Sequence, residues 1–432
     1  MELIEKILCE ENLQKAIRKV KKNKGAPGVD KMTVQEVEEW FNQYKEELIS
    51  KILNKQYKPM PVKRVYIPKP NGKQRPLGIP TVVDRVIQQA MLQVLNEIYE
   101  PVFSEHSYGF RPNRSAHMAM EEVLSYLNEG YEWIVDLDIE KFFDTVNHDK
   151  LISILRERVN DSKTLHLIRA YLQAGILDKG LVSSSAIGTP QGGPISVILS
   201  NIYLDKFDKE LESRNLRFAR YADDCIIFVK SEMSANRVMK SVTSWLERKL
   251  FLKVSAKKTK VVRPTKGKFL GFTFYKAKTV WKCTPTKDRK KRLYSNIQKY
   301  LERKHAASRP LSVTFEKLNQ MIRGWIQYFK ISSIKVFLEE FGQWLRHKVR
   351  CIIIKQWKRP RTIYKNLMKL NIACRYKFTH DEIFKCANSR LGWYRRSTGN
   401  IVNFLLSPTV LGIKKGDRPG LVNPLIYYLE IL

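Results

Sequence analysis

The sequence lacks the features that mark several large classes of protein. No apolar run approaches the roughly 18 residues that a membrane-spanning helix requires. The N-terminal stretch MELIEKILCEE is acidic and amphipathic, unlike a secretory or organellar leader. The six Cys residues are dispersed, and Cys374 and Cys386, the closest pair, are 12 residues apart. This spacing excludes a CxxC zinc pair and a dense disulfide framework, so we expect an intracellular protein with reduced thiols and no membrane contact.

Acidic residues are scarce relative to basic ones. The 432 residues include 78 Lys and Arg but 43 Asp and Glu, a net charge of +35, and 43% of the residues are hydrophobic, which excludes wholesale disorder. Residues 276–396 contain 31 Lys and Arg against 7 Asp and Glu, a net of +24, whereas residues 1–275 have a net of +10. Aromatic residues are interleaved with these cations, so nucleic acid is the predicted partner. The alternative is a basic, solvated face on a helical domain.

Hydrophobic periodicity predicts an α+β protein. Beyond residue 280 the pattern is helical, with linker-like breaks near 276–290 and 358–364. Residues Pro70-Asn-Gly72 predict a hairpin, and Arg323 and Lys330 lie off the apolar stripe of one later helix. Helices are predicted over 3–20, 33–53, 82–98, 115–128, 148–173, 194–213 and 232–250, and strands over 62–67, 75–79, 133–139, 218–221, 225–229, 252–262 and 269–275.

Carboxylates at the ends of two predicted strands are candidates for a metal site. Asp136 and Asp138 end an apolar run, and Asp223 and Asp224 lie at the tip of a predicted hairpin. Three such carboxylates can hold divalent magnesium, which supports nucleotide polymerisation. An isolated Asp-Asp pair is more often a solvated turn. The apolar flanks Tyr-Ala and Cys-Ile-Ile argue against that simpler interpretation here.

Six blocks of residues occur in the order of the reverse transcriptase motifs. Together they make the chain similar to a bacterial group II intron reverse transcriptase, or maturase, over roughly residues 10–360. The blocks are Ser107-Tyr-Gly-Phe-Arg-Pro-Asn-Arg114, Trp133-Ile-Val-Asp-Leu-Asp-Ile-Glu-Lys-Phe-Phe-Asp-Thr-Val-Asn-His148, Gly188-Thr-Pro-Gln-Gly-Gly-Pro194, Tyr221-Ala-Asp-Asp224, Phe269-Leu-Gly-Phe272 and Arg323-Gly-Trp-Ile-Gln-Tyr-Phe-Lys330.

The resemblance implies a right-hand polymerase. Its parts are an N-terminal extension over 1–60 that contacts RNA or template, fingers and palm with an antiparallel sheet over 61–275, a helical thumb or maturase domain over 276–360, and a basic C-terminal region over 361–432 with a possible DNA-binding role. It also implies a cytoplasmic, nucleoid-associated bacterial protein. The implied partners are intron RNA, an RNA template with a DNA primer, target DNA and dNTPs.

The resemblance further assigns a metal site. Asp138, Asp223 and Asp224 match the family's metal-binding carboxylates, and the backbone carbonyl of Ile139 is a further ligand. Two Mg²⁺ ions are the implied cofactor, with Mn²⁺ as a substitute. The remaining carboxylates of the block are then structural, namely Asp136 and Asp144.

Other matched residues imply contacts to the incoming nucleotide. Lys69 and Arg75 match fingers residues that grip the triphosphate, although a basic hairpin facing solvent is an alternative. Gln191 matches the glutamine of the dNTP site. Lys258 matches the lysine proposed as general acid for pyrophosphate departure, and its neighbour Lys257 could be confused with it.

The resemblance also implies a steric gate and template contacts. Phe143 falls where the family places the side chain that excludes a 2′-hydroxyl, and Phe142 is the fallback. Arg111 and Arg114 match a block that lies along the template, with internal salt bridges as the alternative. The implied primer grip is Phe269, Leu270, Gly271 and Phe272, and the implied RNA contacts of the thumb are Arg323 and Lys330.

The favoured hypothesis is an RNA-directed DNA polymerase that also binds its intron RNA, assisting splicing and mobility. One alternative is a splicing maturase that serves as an RNA scaffold without polymerase activity. Another is a reverse transcriptase of a retron, defence or diversity-generating system. Departures from the family pattern occur at Ser255 and at Ser196-Val197, and no His/Cys cluster typical of an HNH nuclease follows.

Overall fold

The chain folds into two structural units, and the boundary lies between Leu270 and Gly271. The computed structural model describes residues 2–68, 72, 74–178, 181–183, 188, 192–375, 377–412 and 419–432. Within these ranges, no helix combines the length and the apolar character needed to cross a membrane. The first unit is Met1–Leu270 and the second is Gly271–Leu432.

Helix α4 is the centre of the first unit's core. Its side chains are buried on most sides because apolar residues such as Val86, Ala90 and Met91 recur around the helix, which packs against α2 and α9. The hydroxyl of Thr81 caps its start by accepting from the Asp84 backbone N–H. The helices of this unit are α1 (Leu3–Leu8), α2 (Glu10–Lys22), α3 (Val37–Leu53), α4 (Val82–Tyr99), α5 (Ala116–Asn128), α6 (Phe142–Thr145), α7 (His148–Arg156), α8 (Ser162–Gln173), α9 (Pro194–Ser213) and α10 (Glu232–Lys249).

Two four-stranded sheets complete this unit. One sheet has the order β2-β1-β4-β5, in which β1 and β2 form the antiparallel arms of the predicted hairpin. The other has the order β6-β7-β3-β8 with antiparallel neighbours throughout, so β3 and β7 are its inner strands. The strands are β1 (Val62–Pro68), β2 (Gln74–Ile79), β3 (Trp133–Asp138), β4 (Ile176–Asp178), β5 (Leu181–Ser183), β6 (Arg217–Tyr221), β7 (Asp224–Val229), β8 (Lys260–Val262) and the short β9 (Lys268–Phe269).

The second unit is helical after an initial hairpin of β10 (Phe272–Ala277) and β11 (Val280–Pro285), which pair antiparallel. The stripe Leu318, Ile322 and Ile326 of α13 is buried, as its spacing predicts. The helices are α11 (Lys287–Tyr300), α12 (Arg303–Ala306), α13 (Leu311–Phe329), α14 (Lys335–Trp357), α15 (Pro360–Ala373), α16 (His380–Asn388), α17 (Trp393–Arg396), α18 (Asn400–Leu405), α19 (Pro408–Gly412) and α20 (Pro424–Glu430).

Several expectations about local structure are wrong. The predicted helix over 3–20 is two helices, because Cys9 between α1 and α2 has an extended backbone conformation. Of the predicted strand over 252–262, only β8 is a regular strand. The predicted helix over 148–173 is two helices, because the Asp161 carboxylate accepts from the backbone N–H of Lys163 and starts α8 anew. The predicted break near 276–290 is instead filled by the β10–β11 hairpin and the start of α11. The break near 358–364 is confirmed in part, since Lys358 has a positive φ of 57° between α14 and α15.

Candidate active site

The two inner strands of the second sheet bring acidic residues together. In the β3–β7 register Asp138 lies opposite Asp224, the first residue of β7. Asp223 precedes it in the two-residue turn from β6, where Ala222 takes a left-handed φ of 59°. The predicted hairpin with carboxylates at its tip is therefore present, and it meets the end of the strand that carries Asp138.

A buried ion pair supports this turn from beneath. Arg220 is 1% exposed and its Nε donates to Asp208 Oδ1 at 2.7 Å. Its Nη1 also donates to the carbonyl of Ala222 at 2.9 Å and so fixes the turn itself. Sequence reasoning missed this pair. The alternation of side chains along a strand could have revealed it. Arg220 lies on the same strand face as Phe218, and an Arg that faces the core requires a buried acidic partner.

A close backbone approach holds the same turn from the side. A Cβ atom on Gly109 would lie 2.2 Å from the backbone nitrogen of Ala222, so only glycine fits at this position. The Gly109 carbonyl in turn accepts from Asn201 Nδ2 at 2.9 Å. The block Ser107–Arg114 therefore packs against the acidic turn and helps to hold its backbone in place.

The neighbouring carboxylates of the acidic site affect one another's ionisation. Asp224 is solvent-exposed at its side chain, yet partial loss of water around it and the charges of Asp223 and Asp138 raise its pKa to about 6. Burial also raises the pKa of Asp136, whose carboxylate lies 3.6 Å from Lys260 Nζ.

Lys258 pairs with the carboxylate of Asp138. Its Nζ donates to Oδ1 at 2.9 Å and to Oδ2 at 2.8 Å, and the lysine side chain remains 69% exposed. These hydrogen bonds raise the pKa of Lys258, so the ammonium form is favoured. Thr259 Oγ1 accepts from the Asp138 backbone N–H at 3.2 Å, and Ile139 continues the strand in an isolated bridge with Val254.

The donor set fits a hard divalent cation. Carboxylate oxygens are the ligands such ions prefer, and a cation beside Asp224 would favour its ionised form against the loss of water and the neighbouring carboxylates that raise its pKa. The Lys258 ammonium already stands in for a cation at Asp138. Across the described ranges, however, no three His, Cys, Asp or Glu side chains are grouped closely enough to hold a metal ion as they stand.

The adjacent phenylalanines of α6 face different surroundings. Phe142 is 2% exposed and packs edge-on against Tyr203 with 6.4 Å between ring centroids. Phe143 is only half-buried. The turn before them has Lys141 at a positive φ of 46°, and Asp144 beyond them is exposed.

The predicted triphosphate contacts are only partly described. Arg75 is an exposed residue of β2 opposite Ile67 of β1. Lys69 and Gln191 lie outside the described residues. Their roles therefore stay predictions.

The two arginines of the predicted template block make internal contacts. Arg111 is buried, and its guanidinium donates to the Glu100 carboxylate and to the carbonyls of Ser104 and Ser107. The salt-bridge alternative thus describes Arg111, because its N–H donors are already used within the chain. Arg114 pairs with Glu105. A template contact by Arg114 stays a prediction.

The predicted primer grip is a turn between two buried rings. Phe269 and Phe272 are 3% and 0% exposed. Leu270 and Gly271 between them both have positive φ angles, 51° and 86°. The atoms nearest a Cβ at Gly271 belong to the flexible Arg289 side chain, so it is the positive φ that favours glycine there.

The two predicted RNA contacts lie on the second unit. Arg323 is exposed on α13, with its guanidinium 5.5 Å from the ring centroid of Tyr427. Lys330 is half-buried at the end of the same helix. Nearby, Arg289, Arg292, Trp325, Tyr328 and other residues of α11 and α13 line a groove of about 470 Å³.

Two family models match the chain in succession. Residues 67–274 match "Reverse transcriptase (RNA-dependent DNA polymerase)", and residues 290–371 match "Group II intron, maturase-specific domain". Reverse transcriptases use divalent metal ions, and the second match implies binding of intron RNA.

Curated relatives agree with these matches. Protein YkfC of Escherichia coli is 34% identical over 61% of this chain and 80% of its own length. The group II intron-encoded protein LtrA of Lactococcus lactis is 41% identical over 42% of this chain, but only 31% of LtrA is covered. The solved partial Cas6-RT-Cas1–Cas2 complex is 26% identical over 57% of this chain and 43% of that chain, and its TM-score of 0.38 is too low to bear on the fold.

The family predicted from the six blocks of residues is thereby confirmed. The mixed α/β fold of the first unit agrees with a reverse transcriptase domain. The chain belongs to the group II intron reverse transcriptase and maturase family of RNA-directed DNA polymerases.

Proposed function

We propose that this chain synthesises DNA on an RNA template at the site formed by Asp138, Asp223 and Asp224. The observation that carries the proposal is the β3–β7 register, which faces Asp138 against Asp224 within the region that matches the reverse transcriptase family. In this proposal residues 61–275 are fingers and palm, 276–360 the thumb, and 361–432 a DNA-binding region, while 1–60 contact RNA or template.

The three aspartates and the carbonyl of Ile139 would hold two Mg²⁺ ions, with Mn²⁺ as a substitute. When bound, such ions stabilise the charge that develops on the attacking and leaving oxygens. The chain itself supplies the carboxylates on rigid strand ends, supported by Arg220 beneath the turn. This rigidity favours a fixed separation between the Asp138 side and the Asp223–Asp224 side of the site.

Lys258 is proposed as the general acid. Its hydrogen bonds to Asp138 keep a proton on Nζ at neutral pH, and a leaving pyrophosphate oxygen requires a proton. The side chain is 69% exposed, so it is free to turn from Asp138 toward a bound triphosphate. Lys257 is exposed as well and provides a matched comparison.

Phe143 is proposed as the steric gate. Its ring is half-buried and lies beside a fully packed Phe142, so Phe142 has a core position and Phe143 has a surface to offer a sugar. Lys69, Arg75 and Gln191 are proposed contacts to the triphosphate and base. Arg75 supports this through its exposed position on a hairpin strand.

The second unit is proposed to bind intron RNA and the template–primer duplex. Arg323 and Lys330 contribute cations, and the groove lined by Arg289 and Tyr328 combines cationic and aromatic surfaces. This combination serves both splicing assistance and copying of the intron at a DNA target. A scaffold without polymerase activity would have no use for an Asp138–Lys258 pair beside Asp224.

Primer extension on an RNA template with Mg²⁺ and dNTPs tests the polymerase proposal. Wild-type protein should extend the primer, and Asp223→Ala and Asp224→Asn should each lower the rate by at least about 100-fold. Asp149→Ala is the matched control, because this carboxylate is exposed on α7 and pairs with Arg169. Extension that continues unchanged in Asp223→Ala would contradict the proposal.

Binding of a group II intron RNA tests the second part. The affinity of the full chain should fall steeply with salt, and an Arg323→Gln, Lys330→Gln double variant should weaken binding while leaving extension of a short primer unchanged at saturating template. A scaffold protein would bind the RNA equally well yet extend no primer. The two assays together therefore separate polymerase from pure maturase.

A further inference from the structure

Gly188, Gly192 and Gly193, which flank Gln191 in the sequence, each lie close to another part of the first unit. Gln191 itself lies outside the described residues, but Gly188, Gly192 and Gly193 do not. Gly188 and Gly192 approach backbone atoms so closely that a side chain would have no room, whereas Gly193 approaches the side chain of Gln88. The backbone neighbours of Gly188 lie in α6, which carries Phe143, and that of Gly192 lies in β2, which carries Arg75.

Gly188 contacts the segment around α6. The Gly188 N–H donates to the carbonyl of Val146 at 2.9 Å. Gly188 has a positive φ of 95°, and a Cβ atom there would lie 2.9 Å from the backbone oxygens of both Phe143 and Asp144. The backbone of the proposed steric gate and that of Gly188 are thus in direct contact.

Gly192 and Gly193 approach β2 and α4. Gly192 has a φ of 129°, and a Cβ atom there would lie 2.2 Å from the carbonyl oxygen of Gly78 on β2. A Cβ atom on Gly193 would lie 2.3 Å from Gln88 Oε1 on α4. Gly192 therefore lies against the strand that carries Arg75.

One side chain holds Gly188 by a hydrogen bond. His148 is 6% exposed, and its Nε2 lies 2.6 Å from the carbonyl oxygen of Gly188. A carbonyl oxygen only accepts, so Nε2 carries the hydrogen in this contact. His148 is the first residue of α7, and the Asn147 carboxamide oxygen caps this helix by accepting from the Lys150 backbone N–H at 2.8 Å. Because the start of α7 is capped, the backbone that carries the imidazole is held in place.

We propose that His148 is a positioning residue for the nucleotide site. By holding Gly188 against the backbone of Phe143, it fixes the main chain from which the proposed steric gate projects. The inference rests on the proposed function, and it deepens that function by assigning a residue to selection of the incoming dNTP. The simpler alternative is a buried histidine that only stabilises the fold. The two interpretations differ in whether dNTP affinity depends on the hydrogen-bond donor at the position of His148 Nε2.

A pair of amide variants separates positioning from stability. His148→Gln places an amide N–H donor near the Nε2 position, whereas His148→Asn has the same group one methylene short of Gly188. We expect His148→Asn to raise the KM for dNTP roughly tenfold with kcat changed less than about twofold, and His148→Gln to stay within about twofold of wild type. Ribonucleotide discrimination should weaken in His148→Asn alone. His166→Asn, an exposed histidine of α8, is the matched control.

A measurement without chemistry keeps this inference separate from the proposed function. The affinity for a dNTP is measured on a complex with a dideoxy-terminated primer, and thermal unfolding of each variant is followed in parallel. A wild type that binds dNTP yet never extends a primer would refute the proposed activity while the effect of His148 remained readable. Equal dNTP affinities for His148→Gln and His148→Asn, or a loss in His148→Asn accounted for by unfolding at the assay temperature, would overturn the positioning role.

Discussion

Replacing Lys258 distinguishes a catalytic lysine from a surface ion pair, because the two interpretations predict effects of very different size. In Lys258→Met the ammonium is removed while the length of the aliphatic side chain is approximately kept. An ion pair with a lysine that is 69% exposed and an aspartate that is 25% exposed contributes at most about 1 kcal/mol to folding. For a unit of this size that corresponds to a fall in Tm of roughly 2–4 °C.

General acid catalysis is worth much more than this ion pair. Loss of a proton donor typically lowers the rate of the chemical step by about 10²–10⁴-fold. Even the lower figure corresponds to about 2.7 kcal/mol of transition-state stabilisation, well above the contribution of the exposed ion pair. We therefore expect a small loss of stability together with a large loss of rate in Lys258→Met.

Single-nucleotide incorporation at saturating dNTP measures that rate, with thermal unfolding as the parallel measurement. Lys257→Met is the control, because Lys257 is an exposed neighbour in the same Lys-Lys-Thr-Lys run. It should behave as wild type in both assays. The reasoning is refuted if Lys258→Met incorporates within about threefold of wild type, or if the two variants lose rate equally.

Three further predictions concern other parts of the chain. Phe143→Ala should relax discrimination against ribonucleotides in competitive incorporation assays, whereas Phe142→Ala should cost about 3–5 kcal/mol in denaturant unfolding because its ring is 2% exposed; relaxed discrimination in Phe142→Ala alone would reverse the assignment. Exchanging several Lys and Arg of 276–396 for Gln should flatten the dependence of RNA affinity on salt, measured by filter binding, and an unchanged slope would show that the charge responsible lies elsewhere. The Glu122 carboxylate raises the pKa of His106, so this pair stabilises the fold fully below about pH 6.5 and loses that contribution as pH rises through the raised value. Glu122→Gln should therefore remove up to about 1 kcal/mol of stability near pH 6 and flatten the Tm profile above it, and a profile parallel to that of wild type would contradict this.

Much of the acidic site could be predicted because it depends on short-range rules. Asp138 ends a strand-like run and Asp223-Asp224 follow another, and period two together with hairpin pairing is enough to bring strand ends together. The same rule, applied to Arg220, would have predicted that this arginine has some buried acidic partner. The identity of that partner, Asp208 on α9, depends on how a helix packs below the sheet, which no local pattern encodes.

The contacts of Arg111 could not be predicted for a similar reason. A basic residue in a nucleic-acid-binding family favours a phosphate contact, but Glu100 lies eleven residues earlier and meets Arg111 only through the fold. The split between α7 and α8 was predictable in principle, since Asp161 is a good N-cap residue, yet continuous hydrophobic spacing favoured one helix. Gly188, Gly192 and Gly193 belong to a recognisable motif block, but which residues each of them approaches depends on tertiary packing.

The backbone contacts of Gly188 and Gly192 have a consequence for the redesign of substrate choice. At both positions the glycine lies against other backbone atoms, so any substitution would add a side chain for which there is no space. Variation in nucleotide preference should therefore be concentrated at positions such as Phe143, whose half-buried ring leaves room for exchange. A saturation screen of this enzyme should accordingly recover altered selectivity at Phe143 and only wild type at Gly188 and Gly192.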